Sequence, residues 1–240
     1  MKNLKPKWLG GVDRRIICAP ANVPILDFYE TSFDEVFVSL NPFIKINSTS
    51  KLKYSTWFDF LEPTKKEILE NCDRLSWKDF QNLSQIASKS DLDIALRTSI
   101  GGLVEKFQKK ELVDSMIKVF EEKNIILPED GKISIFSDDD ILKALRKLGH
   151  EKICIGCKFG STEKEVLIDK ILNDEVEIGD SNLFTIDRKV LITFHWDSHQ
   201  TYICSNKETV DFIRKNANLE GFYCDEKTEI YWSLKNGILK

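Results

Sequence analysis

The residues whose types and spacing could support chemistry are His195, Asp197 and His199, which alternate in the stretch HWDSH. On a straight strand the three side chains would share a face, and such a set of imidazole and carboxylate groups can hold iron, zinc or manganese. The spacing matches no specific metal motif, and Asp197 also suits a turn, because its carboxylate can bond the local backbone. The favoured interpretation is therefore a turn without a bound metal, and a metal site is the alternative.

The sequence around these residues, LITFHWDSHQTYICSN, predicts a β-hairpin within residues 190–205. We expect a four-residue loop over Asp197–Gln200, because a two-residue Asp-Ser loop would need residues tolerant of positive φ. This register pairs Trp196 with Thr201, His195 with Tyr202, Phe194 with Ile203 and Thr193 with Cys204. Alternation then predicts one core face and one half-exposed face. The core face carries Ile192, Phe194, Trp196 and Ile203, and the half-exposed face carries Thr193, His195, Tyr202 and Cys204.

The pair Cys154 and Cys157 has the CxxC spacing of zinc sites and redox dithiols. A zinc site needs further ligands, and the sequence has no second CxxC pair. The pair lies inside a predicted strand, where residues three positions apart point to opposite faces. We therefore interpret both residues as buried structural thiols. Six cysteines in 240 residues are also too sparse for a disulfide scaffold, so all six are expected to be reduced.

Other stretches match functional motifs only in part. Residues 156–162 have the glycines of a phosphate-binding loop but lack its lysine and one spacer residue. Asp138–Asp140 lack the alternating oxygen ligands of a calcium loop and suit the first turn of a helix. Arg97 follows Asp93 by four residues, the spacing of an exposed ion pair on a helix. The sequence therefore predicts no cofactor.

Helix signals dominate residues 63–124. Three helix starts are assigned there from the Ser/Thr-x-x-Asp/Glu pattern of helix N-termini, and apolar residues follow each at helical spacing. Three predicted helices begin at Thr64, Ser76 and Ser90, and a fourth ends near Asn124. A further helix is predicted from Ser137 to Gly149, and a short one at Glu208–Asn216. The predicted strands are Arg14–Ala19, Phe33–Leu40, Lys132–Phe136 and Lys152–Phe159, with a second hairpin over Glu220–Trp232. Residues 44–54 are expected to form a surface loop, and residues 163–172 fit either a helix or a strand, with the helix favoured.

These elements predict an α+β fold, with a helical middle segment and a mixed, largely antiparallel sheet in the C-terminal half. Residues 1–124 would form an N-terminal lobe of short strands followed by helices. Residues 125–240 would form a C-terminal α/β lobe around the hairpin at 190–205. One domain that contains both lobes is the alternative.

Composition and charge exclude several classes of protein. The chain is 42% hydrophobic and 31% charged, as is typical of soluble globular proteins. Residues 1–120 carry 18 Lys and Arg against 16 Asp and Glu, and residues 121–240 carry 17 against 23, so neither half has the basic excess of a nucleic-acid binder. No apolar run reaches the ~18–20 residues that cross a bilayer, and the N-terminus lacks the apolar segment of a signal peptide. We therefore expect a cytoplasmic protein that binds neither nucleic acid nor membrane.

Four stretches carry a family resemblance. They are SWKDF (Ser76–Phe80), IALRTSIGGL (Ile94–Leu103), HWDSH (His195–His199) and EGFYCDEKTE (Glu220–Glu229). With them the sequence resembles the YwbB-like bacterial proteins, a family of unknown function, over most of its length. The resemblance implies a small cytoplasmic bacterial protein and assigns no catalytic residue.

Two classes of function are consistent with the sequence. No nucleophile–base pair, complete set of metal ligands or phosphate loop can be assembled, which favours a non-catalytic binding or regulatory protein with a protein partner. Its candidate binding-surface residues are His195, Asp197, His199 and Tyr202, where several chemically capable side chains converge. The alternative is a metal-assisted hydrolase that uses His195, Asp197 and His199.

Overall fold

A computed structural model of the protein describes residues 11, 13–48, 50 and 64–234. The fold is α+β, as predicted. Its main sheet has seven strands in the order β10-β1-β9-β8-β7-β5-β6, a smaller sheet has the order β3-β2-β4, and neighbouring strands are antiparallel. The strands are β1 Glu35–Leu40, β2 Phe43–Ile46, β3 Cys72–Leu75, β4 Ile125–Ile126, β5 Lys152–Cys157, β6 Glu163–Leu167, β7 Ser181–Phe184, β8 Leu191–Phe194, β9 Gln200–Ser205 and β10 Gly221–Tyr223.

Eight α-helices lie within the described residues. No helix in this part of the chain is both long and apolar enough to cross a membrane. The helices are α1 Ile25–Tyr29, α2 Lys65–Asn71, α3 Trp77–Ser84, α4 Lys89–Ser99, α5 Lys110–Lys123, α6 Asp138–Lys147, α7 Ile168–Leu172 and α8 Lys207–Asn216.

The N-termini of α2, α3 and α4 are capped by Thr or Ser side chains. The Thr64 hydroxyl and the Glu67 carboxylate form the predicted capping box at α2. Ser76 caps α3 by accepting a hydrogen bond from the backbone N–H of Asp79. The prediction for α4 was wrong by two residues, because Ser88 rather than Ser90 is its cap. The same Ser-x-x-Asp pattern occurs at both serines, so local sequence alone does not choose between them.

The main sheet is covered on both faces, and this changes the interpretation of the hairpin. Helices α6, α7 and α8 pack on the face that carries Ile192, Phe194 and Ile203. Helix α1 and the 3₁₀ turn Arg14–Ile16 pack on the other face, which carries Tyr202 and Cys204. The predicted division of side chains between the faces is confirmed for these residues, but the expectation that one face is half-exposed was wrong. A third core lies among α3, α4 and α5 with the smaller sheet.

The hairpin pairing differs from the prediction by two residues. Thr193 lies opposite Tyr202, and Phe194 lies opposite Thr201. A shift of two residues keeps the side chains within the paired strands on their predicted faces, because side chains alternate with a period of two. The connection therefore lengthens to the five residues His195–His199.

Several predicted elements differ from the structure. Residues 132–136 form bends and turns rather than a strand, the segment after Asp13 begins with a 3₁₀ turn, and residues 163–172 divide into β6 and then α7. Part of the predicted 44–54 loop is strand β2, and residues 49 and 51–54 lie outside the described residues.

The predicted second hairpin is absent from the described residues of its segment. Only Gly221–Tyr223 is a strand there, and it pairs with β1 rather than with the residues that follow it. A Cβ on Gly221 would lie 1.9 Å from the Val38 carbonyl oxygen, so glycine is required for this close approach. The chain beyond Tyr223 continues as turns and packs against the sheet.

Strand β1 lies between β9 and β10 in the main sheet. It belongs to residues 1–124, whereas its two neighbours belong to residues 125–240. The division of the chain at residue 124 stays a prediction about folding units, and a C-terminal unit expressed alone would lack this strand.

Candidate functional site

Three of the predicted site residues lie in the loop His195–His199 and Tyr202 lies on β9, and most of the four are buried. His195 is 3% exposed, His199 is fully buried and Tyr202 is 1% exposed, whereas Asp197 is partly exposed. Trp196, predicted to lie in the core, is instead 50% exposed. The prediction failed at this residue because Trp196 lies beyond the end of β8, where strand alternation no longer applies.

The His195 imidazole lies beneath the exposed indole. Its ring stacks on Trp196 with 4.2 Å between centroids, and Tyr231 contacts its edge at 5.8 Å. The Nδ1 atom accepts a hydrogen bond of 3.2 Å from the backbone N–H of Asp197. Burial lowers the pKa of His195 to about 3, and the neighbouring Arg97 guanidinium adds to this effect. His195 is therefore a neutral support for the indole at neutral pH.

The His199 imidazole points to a different part of the protein. Its Nδ1 atom lies 2.8 Å from the Pro128 carbonyl oxygen, which can only accept, so Nδ1 carries the hydrogen. Its Nε2 atom is buried and has no hydrogen-bond partner among the described residues. Burial lowers the pKa of His199 by more than the nearby Asp130 carboxylate raises it. The two imidazoles thus bond separate backbone groups.

The described residues also contain no group of three or more His, Cys, Asp and Glu side chains placed to hold a metal ion. The metal-assisted alternative consequently has no arrangement of ligands to support it in this part of the chain.

A buried ion pair lies beside the loop, although its spacing in the sequence predicted an exposed pair. Asp93 and Arg97 are both 0% exposed, and Arg97 Nε donates to Asp93 Oδ2 at 2.8 Å. Their spacing along α4 was recognised, but their exposure was predicted wrongly. They directly follow Leu92 and Leu96, which are fully buried, and so lie on the packed face of the helix.

The Arg97 guanidinium has partners from three segments of the chain. Nη1 donates to the backbone oxygen of Asp197 at 2.6 Å, and Nη2 donates to the backbone oxygen of Ile230 at 2.9 Å and to Gln200 Oε1 at 3.3 Å. The Tyr231 ring lies 4.5 Å from the guanidinium carbon. Burial alone would lower the pKa of Arg97, but the surrounding Asp93 and tyrosine side chains outweigh it and raise the pKa.

The Asp93 carboxylate is equally well bonded. Gln200 Nε2 donates to Oδ1 at 2.5 Å, and Ser233 Oγ donates to Oδ2 at 2.6 Å. A buried charge is tolerated when it is both paired and hydrogen-bonded, as here. The signal that could have revealed this network is the charged pair on an otherwise apolar helix face. Gln200 and Ser233 have no such local signal.

The exposed part of the site is aromatic. The Trp196 and Phe159 rings lie 6.4 Å apart between centroids, and Phe159 is 60% exposed. We call this pair of residues the aromatic tip. Lys158 Nζ lies 6.0 Å from the Phe159 ring and forms no ion pair with any residue that the structure describes. The tip therefore combines exposed apolar area with one unpaired cation.

A family model described as "Protein of unknown function (DUF2711)" matches residues 21–234. The chain belongs to the DUF2711 family. It is also similar to the "Uncharacterized protein YwbB" of Bacillus subtilis (strain 168), with 21% identity over 213 residues, 87% of this chain and 94% of the relative. No solved structure matches the chain. The predicted resemblance to YwbB-like proteins is confirmed.

In this DUF2711 protein, the four stretches that carry the resemblance are joined in two pairs by hydrogen bonds. Glu220 Oε2 accepts a hydrogen bond of 2.7 Å from the backbone N–H of Trp77. Arg97 in turn donates to the backbone of Asp197. The Glu220 carboxylate lies at the N-terminus of α3, where a negative charge is stabilised. Of these two contacts, the one between Arg97 and Asp197 lies at the loop that carries Trp196.

The CxxC pair of this DUF2711 member has two different environments. Cys154 is buried and Cys157 is partly exposed, on opposite faces of β5 as predicted, and all six cysteines are free. The interpretation of Cys157 as a buried structural thiol was wrong. Its Sγ atom lies 3.1 Å from Ser161 Oγ and accepts a hydrogen bond of 3.2 Å from the Ser161 N–H. These bonds lower the pKa of Cys157 to about 6.

We expect Cys157 to be the first cysteine that iodoacetamide modifies in the native protein. At pH 7.5 it is largely the reactive thiolate, whereas burial raises the pKa of Cys18 to about 12 and also raises that of Cys154. Because the folded pKa is depressed, the labelling rate should fall as the pH drops through about 6. Peptide mass spectrometry after short pulses measures the rate at each site. Ser161→Ala should move the midpoint to higher pH, and an unchanged midpoint would contradict this assignment.

Proposed function

We propose that the protein is a non-catalytic interaction protein that binds another protein through the aromatic tip. The observation that carries the proposal is the exposure of Trp196 and Phe159 side by side. Tryptophan is enriched among the residues that contribute most to protein–protein binding, because its large ring excludes water from the contact. The proposal places this activity in the cytoplasm, where the six free thiols stay reduced.

The partner can be described by its chemistry. It presents an apolar groove for the two rings and a carboxylate that pairs with Lys158, since this cation has no ion-pair partner among the described residues. A fully buried aromatic side chain contributes about 150–250 Å², so the half-exposed pair offers roughly 200–300 Å². A standard interface takes about 800 Å² from each partner. The aromatic tip is thus the anchor of a larger interface and is too small to hold a stable homodimer alone.

His195, Asp197, His199 and Tyr202 act in this proposal as the support of the surface. His195 stacks beneath Trp196, and Asp197 is held by Arg97. His199 and Tyr202 are buried and lie too deep to touch a partner directly in this conformation. Of the four, only Asp197 is exposed enough to contribute a polar contact at the edge of the tip.

The test is selection of peptides from a random phage-displayed library on the immobilised protein. Peptides that bind should contain an aromatic or large aliphatic residue next to Asp or Glu. Trp196→Ala should raise the Kd of the selected peptides about 30-fold or more, the equivalent of roughly 2 kcal/mol. Lys158→Glu should weaken binding of the acidic peptides. Added salt should then weaken that binding less than it does in the wild type, because the screened attraction is gone.

The control variant is Ile186→Ala, which removes a side chain of similar exposure in the turn between β7 and β8. It should leave the Kd within twofold of the wild type. Selected peptides that bind Trp196→Ala as tightly as the wild type would overturn the proposal. Self-association of the wild type that Trp196→Ala abolishes, measured by sedimentation velocity, would instead identify a second copy as the occupant and overturn the assignment of a different partner.

A further inference from the structure

The loop that carries Trp196 depends on other segments for its conformation. Within the loop, Ser198 donates two hydrogen bonds to the backbone oxygen of His195, from N at 3.1 Å and from Oγ at 2.9 Å. The central residue, Asp197, is held from outside by Arg97 Nη1 at 2.6 Å. On the other side, the Gly131 N–H donates to the backbone oxygen of Ser198 at 3.0 Å. The position of the indole is consequently set by contacts that are distant in sequence.

The C-terminal segment Ile230–Ser233 reaches the same loop by two routes. We call this segment the C-terminal strap. Directly, the Tyr231 hydroxyl donates to Asp197 Oδ2 at 3.3 Å, and its ring contacts the edge of His195. Indirectly, the backbone oxygen of Ile230 accepts from Arg97 Nη2, whose other nitrogen holds Asp197.

The far end of the strap is tied to the same network. Ser233 Oγ donates to Asp93 Oδ2, the atom that also accepts from Arg97 Nε. The strap residues that form these bonds are at most 5% exposed, namely Ile230, Tyr231 and Ser233. Water therefore does not compete for these hydrogen bonds. Arg97 is therefore the one guanidinium, among the described residues, that bonds both the strap and the Trp196 loop.

We infer that the C-terminal strap is coupled to the aromatic tip, directly through the Tyr231 hydroxyl and indirectly through Arg97 as a positioning residue. The planar guanidinium of Arg97 places Nη1 and Nη2 in a fixed geometry, so that a movement of Ile230 is transmitted to Asp197. A change that loosens the strap then changes the conformation of Trp196. The consequence for partner binding rests on the proposed function, whereas the coupling itself requires no partner.

The coupling supplies a means of regulation for the binding surface. A tip that is already held in its binding conformation loses less conformational freedom when a partner docks. If loosening of the strap lowers the population of that conformation tenfold, the apparent affinity falls by the same factor. Anything that displaces residues 230–233 would therefore weaken binding at Trp196 without touching it.

The coupling is measured on the free protein by ¹⁹F NMR after incorporation of 5-fluorotryptophan. The sequence has five tryptophans, and each resonance is assigned by a single Trp→Phe change. Tyr231→Phe removes the hydroxyl that donates to Asp197 and keeps the ring. In this variant the Trp196 and Trp232 resonances should shift or broaden, while the Trp77 resonance in the third core should stay in place.

A matched control exists on the other side of the sheet. The Tyr223 hydroxyl also donates to a carboxylate, that of Asp211, and Tyr223→Phe should leave the Trp196 resonance unchanged. Arg97→Lys keeps the charge but cannot reproduce the planar pair of donors, and should move the Trp196 resonance as well. Should this variant fail to fold, Tyr231→Phe alone decides.

A Trp196 resonance at the wild-type position in folded Tyr231→Phe would overturn the inference. So would an equal displacement in Tyr223→Phe. These results are independent of the peptide selection. If the Trp196 resonance responds to Tyr231→Phe but no peptides bind, the inference stands and the proposed function fails. If the resonance does not respond but peptides bind at Trp196, the proposed function stands and the inference fails.

Discussion

Asp93→Ala is expected to cost about 3–5 kcal/mol of unfolding free energy, because it leaves the Arg97 guanidinium buried without its counter-charge. Both side chains are 0% exposed, so water does not replace the lost carboxylate. The change also removes the acceptor of Gln200 Nε2 and Ser233 Oγ. The midpoint of urea unfolding should fall sharply, with the slope of the transition unchanged.

The control for this prediction is an ion pair of the same spacing on the surface. Lys66 and Glu70 lie four residues apart on α2 with 3.9 Å between Nζ and Oε1, and both side chains are mostly exposed. Glu70→Ala should change the unfolding free energy by no more than about 0.5 kcal/mol. Similar midpoints for the two variants would mean that Asp93 is solvated in solution and that the buried network does not form.

Phe194→Ala is expected to cost about 3–5 kcal/mol, through lost transfer free energy and the cavity left behind. Phe194 is 2% exposed and packs in the core between the main sheet and helices α6, α7 and α8. Trp196→Ala, two residues further along, removes a larger ring but should cost about 1 kcal/mol or less, because half of that ring is in solvent.

Denaturant midpoints of the two variants measure this difference directly. The comparison tests whether the chain leaves the core between Phe194 and Trp196, since continued alternation would bury both rings and make both variants costly. Equal destabilisation would show that Trp196 is a core residue, and the aromatic tip would then not exist as a surface. The small effect expected of Trp196→Ala also makes it a suitable variant for the binding experiments.

Local features of the sequence determined much of the fold. The caps at Thr64 and Ser76 begin helices as predicted, because a side chain that accepts a backbone N–H acts within three residues. The faces of the hairpin were also predictable, because alternation depends only on strand geometry and survives the two-residue error in register. The α+β class follows from the order of such elements along the chain.

Only the tertiary structure decided which side chains are buried and which are exposed. Asp93 and Arg97 have the spacing of a surface pair, and their burial follows from how α4 packs against segments that begin 100 residues later. The exposure of Trp196 depends on where β8 ends, which is set by its pairing with β9. Cys157 becomes acidic because a turn brings the Ser161 N–H and hydroxyl to its sulfur. Local pattern determines the direction of a side chain, whereas its surroundings come from chain segments distant in sequence.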